Sequence, residues 1–147
     1  MDPKIFGMLG AGLVLGISAF GSALGMGIVG TAAVGAAKRC HKANKPVPMI
    51  MLTFVGFPLT STIYGFIIMQ RMLSITVSVE NAGLLFGYGV GAGLVMAIVG
   101  IAEGKTGAAA CDALSDTGKG VGFFVAIVGL IETVALFGMV LTLTSLG

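Results

Sequence analysis

A single carboxylate, Glu132, interrupts the most apolar part of the chain. It lies in the stretch GLIETVALFG, residues 129–138, and no basic residue stands within twelve positions of it. A carboxylate at membrane depth is costly, by about 2.5–3.5 kcal/mol on insertion scales. It persists where a proton or a bound cation neutralises it. Glu132 is therefore the first candidate for chemistry, as a carrier of a proton or a metal cation.

Long runs without charge predict that the chain spans a membrane. Only 10% of its residues are charged, against about 25% in a soluble domain. A transmembrane helix needs about 20 apolar residues, and a soluble bundle would need polar stripes that these runs lack. We therefore predict an all-α membrane protein. Its four transmembrane helices are predicted over residues 5–39, 47–71, 82–112 and 119–145.

The charges of the loops predict an orientation. Loop 38–46, KRCHKANKP, is rich in Lys and Arg, whereas the connection at 72–81 contains neither. Basic loops stay on the cytoplasmic side, so loop 38–46 and the loop near 110–119 are predicted there, with both termini opposite. Asp112 and Asp116, in the second of these loops, are expected to be simply solvated. The net charge of +2 is too small to suggest a nucleic-acid partner.

Glycine is distributed unevenly over the four helices. The first and third helices are rich in it, whereas the second and fourth carry Phe, Ile, Leu and Met. Small residues let membrane helices approach closely. The first and third helices should therefore form the crowded side of a homo-oligomeric ring, and the second and fourth should contact lipid.

The two halves of the chain resemble each other. SALGMG at 22–27 parallels IAEGKT at 101–106, and YGFII in the second helix parallels FGMVL in the fourth. We predict two duplicated hairpins. Residues 1–73 form the first, without an ion site, and residues 74–147 form the second, which carries the acidic residues.

Oxygen-bearing residues gather on the second helix. Thr60 and Tyr64 share a helix face through their i, i+4 spacing, and Ser61 and Phe57 border it. The proline after Phe57 cannot donate to the carbonyl four residues earlier, so a carbonyl near Phe57 can turn toward an ion. With Glu132 these groups would make an oxygen cage, the kind of site that hard cations prefer.

Three motifs resemble the proteolipid ring subunit (the K or c subunit) of rotary V-type ATPases. They are PLTSTIYGF at 58–66, GIAEGK at 100–105 and IETVALFG at 131–138, and the resemblance covers essentially the whole chain. It implies that Glu132 binds one coupling ion and that identical subunits form a ring in lipid. The ring would turn past a stator membrane subunit, as a non-catalytic part of an enzyme that hydrolyses or makes ATP. Loop 38–46, the most charged cytoplasmic surface, is expected to contact the central stalk.

The sodium-binding members of that family resemble this chain at the site, with two differences. They have a threonine and a tyrosine at the positions of Thr60 and Tyr64, and a carbonyl donor at Phe57. They usually have glutamines where Ser61 and Glu103 stand. Sodium is therefore favoured as the transported ion, and a proton stays open.

Glu103 brings a second carboxyl group toward Glu132. Two close carboxylates cannot both ionise cheaply in a low dielectric, so the pair is expected to share one proton, with Glu132 charged. A partner role for Lys105 is the alternative for Glu103, although residues two apart on a helix do not face each other. The matching positions in the first hairpin are Leu24 and Leu59, which predicts one ion site per subunit.

Two further interpretations stay open at this point. A proton-coupled small multidrug exporter also has four helices and a membrane glutamate, but that glutamate is expected in the first helix, where this chain has none. Short loops favour a prokaryotic plasma membrane, with an organellar membrane as the alternative.

Overall fold

The computed structural model describes residues 2–147 and is entirely helical in its regular elements. The segments are α1 (Pro3–Lys42), α2 (Met51–Gly56), α3 (Leu59–Leu73), α4 (Ala82–Thr117) and α5 (Val121–Ser145). Because α2 and α3 form one continuous span, these residues make four helices long and apolar enough to cross a membrane. The predicted fold of four transmembrane helices is confirmed.

Helices α1 and α4 are longer than the sequence predicts. They contain 40 and 36 residues, or about 60 and 54 Å at 1.5 Å per residue, against a bilayer core of about 30 Å. The predicted end of the third helix at residue 112 is wrong, because α4 continues to Thr117 and stops where Gly118 adopts a left-handed conformation (φ 65°). Backbone hydrogen bonds carry a helix past the last apolar residue, so the apolar runs underestimate its length.

The second span is interrupted at Phe57 and Pro58. Both residues keep right-handed helical angles, but the next hydrogen bond, from Thr60 N to Phe57 O at 3.1 Å, has the shorter three-residue spacing. Proline lacks the N–H that a continuous helix needs. The predicted local loosening of the backbone is therefore present, and it separates α2 from α3.

Glycines bring α1 and α4 into direct backbone contact. A Cβ atom added at Gly10 would lie 2.6 Å from Leu85 O, and one at Gly25 would overlap Gly100 O. Residue numbers rise along both helices from the first of these contacts to the second, so α1 and α4 run parallel. Two copies of one hairpin require this arrangement. Helix α3 packs against both of them, and α5 packs against α3 and α4.

Arg39 joins the ends of α1 and α4. Its guanidinium pairs with Asp112, and its Nε atom donates to Ser115 Oγ at 3.1 Å. Asp116 Oδ1 lies 3.9 Å from the same Nε atom. Asp112 and Asp116 are exposed, as expected. They lie on α4 rather than in a turn, however, because α4 extends to Thr117 and so brings both carboxylates to Arg39. The predicted start of the basic loop is wrong, because α1 continues to Lys42 and includes residues 38–42 of loop 38–46. Loop 38–46 and the α4–α5 turn lie at the same end of the molecule.

Candidate functional site

Tyr64 and Glu132 meet between α3 and α5. The tyrosine hydroxyl donates to Glu132 Oε1 at 2.9 Å, and both side chains are half-buried. Glu132 lies near the middle of α5, far from either end of the span. The carboxylate therefore has a polar partner at membrane depth, supplied by another helix.

Glu103 on α4 and Ser61 on α3 carry buried polar atoms inside the membrane-spanning part of the chain. Both side chains are fully buried, and among the described residues neither Glu103 carboxyl oxygen nor Ser61 Oγ has a hydrogen-bond partner. An unsatisfied buried polar group costs about 1–3 kcal/mol, and more when it is charged. Glu103 lies on α4, which packs against α5, the helix that carries Glu132. Protonation would make the Glu103 carboxyl neutral, and a neutral carboxyl costs less to bury than a carboxylate.

The alternative role for Glu103, as a partner of Lys105, is wrong. In the described part of the chain the ion pairs involve Arg39, and Lys105 is exposed while Glu103 is buried. Two positions along a helix turn a side chain by about half a circle. The two groups therefore point to different sides of α4.

Thr60 and Phe57 are joined within one turn of the interrupted span. Thr60 Oγ1 donates to Phe57 O at 2.9 Å, and Thr60 N donates to the same carbonyl. A hydroxyl that donates its hydrogen keeps its two lone pairs. Thr60 Oγ1 can therefore act as a ligand for a cation without breaking this bond, whereas Phe57 O must release one of its donors first.

Comparison with known proteins gives two matches to one family model. The model of the family described as the C subunit of ATP synthase matches residues 9–70 and 86–144. The chain belongs to this family. It is also 32% identical, over 143 residues, to the A-type ATP synthase subunit K of Methanocaldococcus jannaschii. That alignment covers 97% of this chain and 62% of the relative, so the chain spans about three fifths of that protein's length.

The two matched segments support a duplicated fold for this member of the ATP synthase family. One segment covers most of α1 to α3, and the other covers most of α4 and α5. The segments include all the predicted site residues, namely Phe57, Thr60, Ser61, Tyr64, Glu103 and Glu132. Family membership also decides against the multidrug exporter that the sequence left as an alternative.

A second set of polar contacts, between α1 and α3, was not predicted from the sequence. Thr62 Oγ1 on α3 donates to Ser22 Oγ on α1 at 2.8 Å. Ser18, also on α1, is fully buried, donates to Val14 O at 2.5 Å, and lies against Gly65. These contacts hold α3 against α1 and so fix the helix that carries Tyr64. Serine and threonine inside apolar runs were the available signal, since they often mediate contacts between membrane helices.

Proposed function

We propose that this chain is a membrane rotor subunit of an A/V-type ATP synthase or ATPase and carries one coupling ion at Glu132. The observation that carries the proposal is the hydrogen bond from Tyr64 to Glu132 in the middle of two membrane-spanning helices. A carboxylate with its ion bound is neutral and can face lipid, whereas the bare carboxylate cannot. Identical copies arranged in a ring would therefore turn only when each site is loaded.

The proposal includes three partners for the ring. Lipid covers most of its outer surface, and a stator membrane subunit provides the hydrated access through which the ion enters and leaves. The central stalk of the soluble sector binds loop 38–46, whose Lys38, Lys42 and Lys45 side chains are exposed. ATP is made or hydrolysed in that soluble sector, so this subunit is not itself catalytic. A prokaryotic plasma membrane is the proposed location.

Sodium is the proposed ion, because the site offers more oxygen ligands than a proton needs. Glu132 supplies the charge, and Thr60 Oγ1 supplies free lone pairs. Ser61 Oγ is buried without a partner in the described residues, and hard cations are bound by such oxygens. Glu103 is proposed to remain protonated and to donate a hydrogen bond, as the usual glutamine amide would.

We also propose that the two hairpins, residues 1–73 and 74–147, differ in role. The second hairpin carries both carboxyls, whereas Leu24 and Leu59 occupy the matching positions of the first. Each subunit then holds one ion between α3 of the first hairpin and α4 and α5 of the second.

Labelling by a hydrophobic carbodiimide tests the ion directly. The reagent attacks a protonated carboxyl, so bound sodium should protect Glu132 in the purified ring, and more strongly as pH rises. Peptide mapping reports which carboxyl is labelled. Absence of sodium protection at every pH would assign the acid pair to protons, and absence of any Glu132 labelling would remove Glu132 from the ion site.

A further inference from the structure

Lys105 lies on an exposed stripe of α4 that the ion site does not use. The stripe includes Leu94 and Ile98, which are 48% and 66% exposed, and Lys105 continues it toward the end of α4 that carries Asp112. A lysine on the surface of a membrane-spanning helix is costly unless it reaches an anion or the membrane interface.

No carboxylate of this chain serves as the anion for Lys105 in the described residues. Glu103, two positions away, is buried on another side of α4, and Asp112, on the same side, pairs with Arg39. A second copy offers no better partner. Its carboxylates lie at the opposite membrane face, in the same Arg39 cluster, or in the ion site, where Glu132 accepts from Tyr64.

The depth of Lys105 suits a lipid headgroup. Asp112 and Arg39 mark the charged boundary at this end of the molecule, and Lys105 precedes Asp112 by seven residues, or about 10 Å along the helix. The flexible stem of a lysine lies along apolar surface while the ammonium reaches toward the interface. Its ammonium can therefore approach the level of lipid phosphates, while its stem stays in the apolar layer.

We propose that Lys105 and the groove beside it bind an anionic phospholipid of the cytoplasmic leaflet. The groove is lined by Ile98, Ile101, Ala102 and Lys105 and has a volume of about 230 Å³. The ammonium meets the headgroup phosphate, and an acyl chain lies along Ile98 and Leu94. A zwitterionic phospholipid offers the same acyl chains but a neutral headgroup, so the site should distinguish the two by charge.

Lipid binding to the purified assembly tests this site. The assembly is exchanged into detergent with equal amounts of phosphatidylglycerol and phosphatidylcholine, and the retained lipids are quantified by mass spectrometry. One basic residue near a membrane surface changes the preference for anionic lipid by about fivefold. We expect Lys105→Gln to lower the retained ratio of phosphatidylglycerol to phosphatidylcholine by that factor, and Lys105→Arg to keep it.

Lys119→Gln is the matched control, because Lys119 is also exposed but lies in the turn after α4. It removes the same charge but should leave the ratio unchanged, because Lys119 follows the end of α4 at Thr117, which lies about 18 Å beyond Lys105 along the helix and away from the apolar groove. An unchanged ratio in Lys105→Gln, or an equal fall in Lys119→Gln, would overturn the proposal. Dissociation of the assembly in Lys105→Gln would also overturn it, because that result would assign Lys105 to a contact between copies. The assay measures neither ion nor ATP, so its outcome is separate from that of the proposed function.

Discussion

Replacement of Tyr64 by phenylalanine removes a single hydroxyl from the proposed ion site. In the structure that hydroxyl donates to Glu132 Oε1 at 2.9 Å. Hydrogen bonds to charged groups contribute about 1.5–3 kcal/mol, and each 1.4 kcal/mol is a factor of ten in affinity. We expect the sodium concentration that half-protects Glu132 from carbodiimide to rise by roughly 10- to 150-fold in Tyr64→Phe.

The second tyrosine provides the control for this experiment. Tyr88 lies on α4, is half-buried, and its hydroxyl makes no hydrogen bond among the described residues. Tyr88→Phe should leave the half-protection concentration within about a factor of two of the original protein. The reasoning fails if Tyr64→Phe also leaves that concentration unchanged, because the hydroxyl would then contribute nothing to holding the ion. Equal losses in both variants would instead indicate a general effect on packing.

Three further perturbations probe the second carboxyl, the helix contact and the basic loop. Glu103→Gln should preserve the protection of Glu132 by sodium, since the glutamine amide also donates a hydrogen bond. Loss of that protection would show that Glu103 itself must ionise. Gly25→Ala should lower the melting temperature by about 2–10 °C, since overpacking costs about 1–3 kcal/mol, whereas Gly122→Ala, with open space around it, should not. Neutralising the four basic residues of loop 38–46 should reduce binding of the central stalk in co-purification; normal assembly would exclude that docking role.

The number and placement of the spans could be predicted because charge is so costly in lipid. Gaps between charged residues located all four helices, and Pro58 located the interruption between α2 and α3. The ends of the helices could not be located in this way. Outside the lipid, polar residues such as Asp112 extend a helix as readily as apolar ones do, and hydrogen bonding decides where it stops.

Contacts between helices could be predicted only where the spacing of residues along one helix determines which side chains share a face. Thr60 and Tyr64 share a face by their separation along one helix, and family resemblance placed Glu132 opposite them. The bond from Thr62 to Ser22 depends on how α1 is rotated about its own axis. Glycine-rich sequence allows several such rotations, because small residues occur on more than one side of the helix, and only the packed structure selects among them.

The condition of electrical neutrality connects the two carboxyls of the proposed site. One sodium ion balances one carboxylate, so a loaded site with both Glu103 and Glu132 ionised would still carry a net negative charge and could not face lipid cheaply. Glu103 is the more buried of the two and has no hydrogen-bond partner in the described residues, so it is the carboxyl on which ionisation costs more. If Glu103 holds a proton throughout the cycle, as proposed, Glu132 is the single exchanging charge. On this argument each subunit transfers one ion per turn of the ring, although it contains two acids.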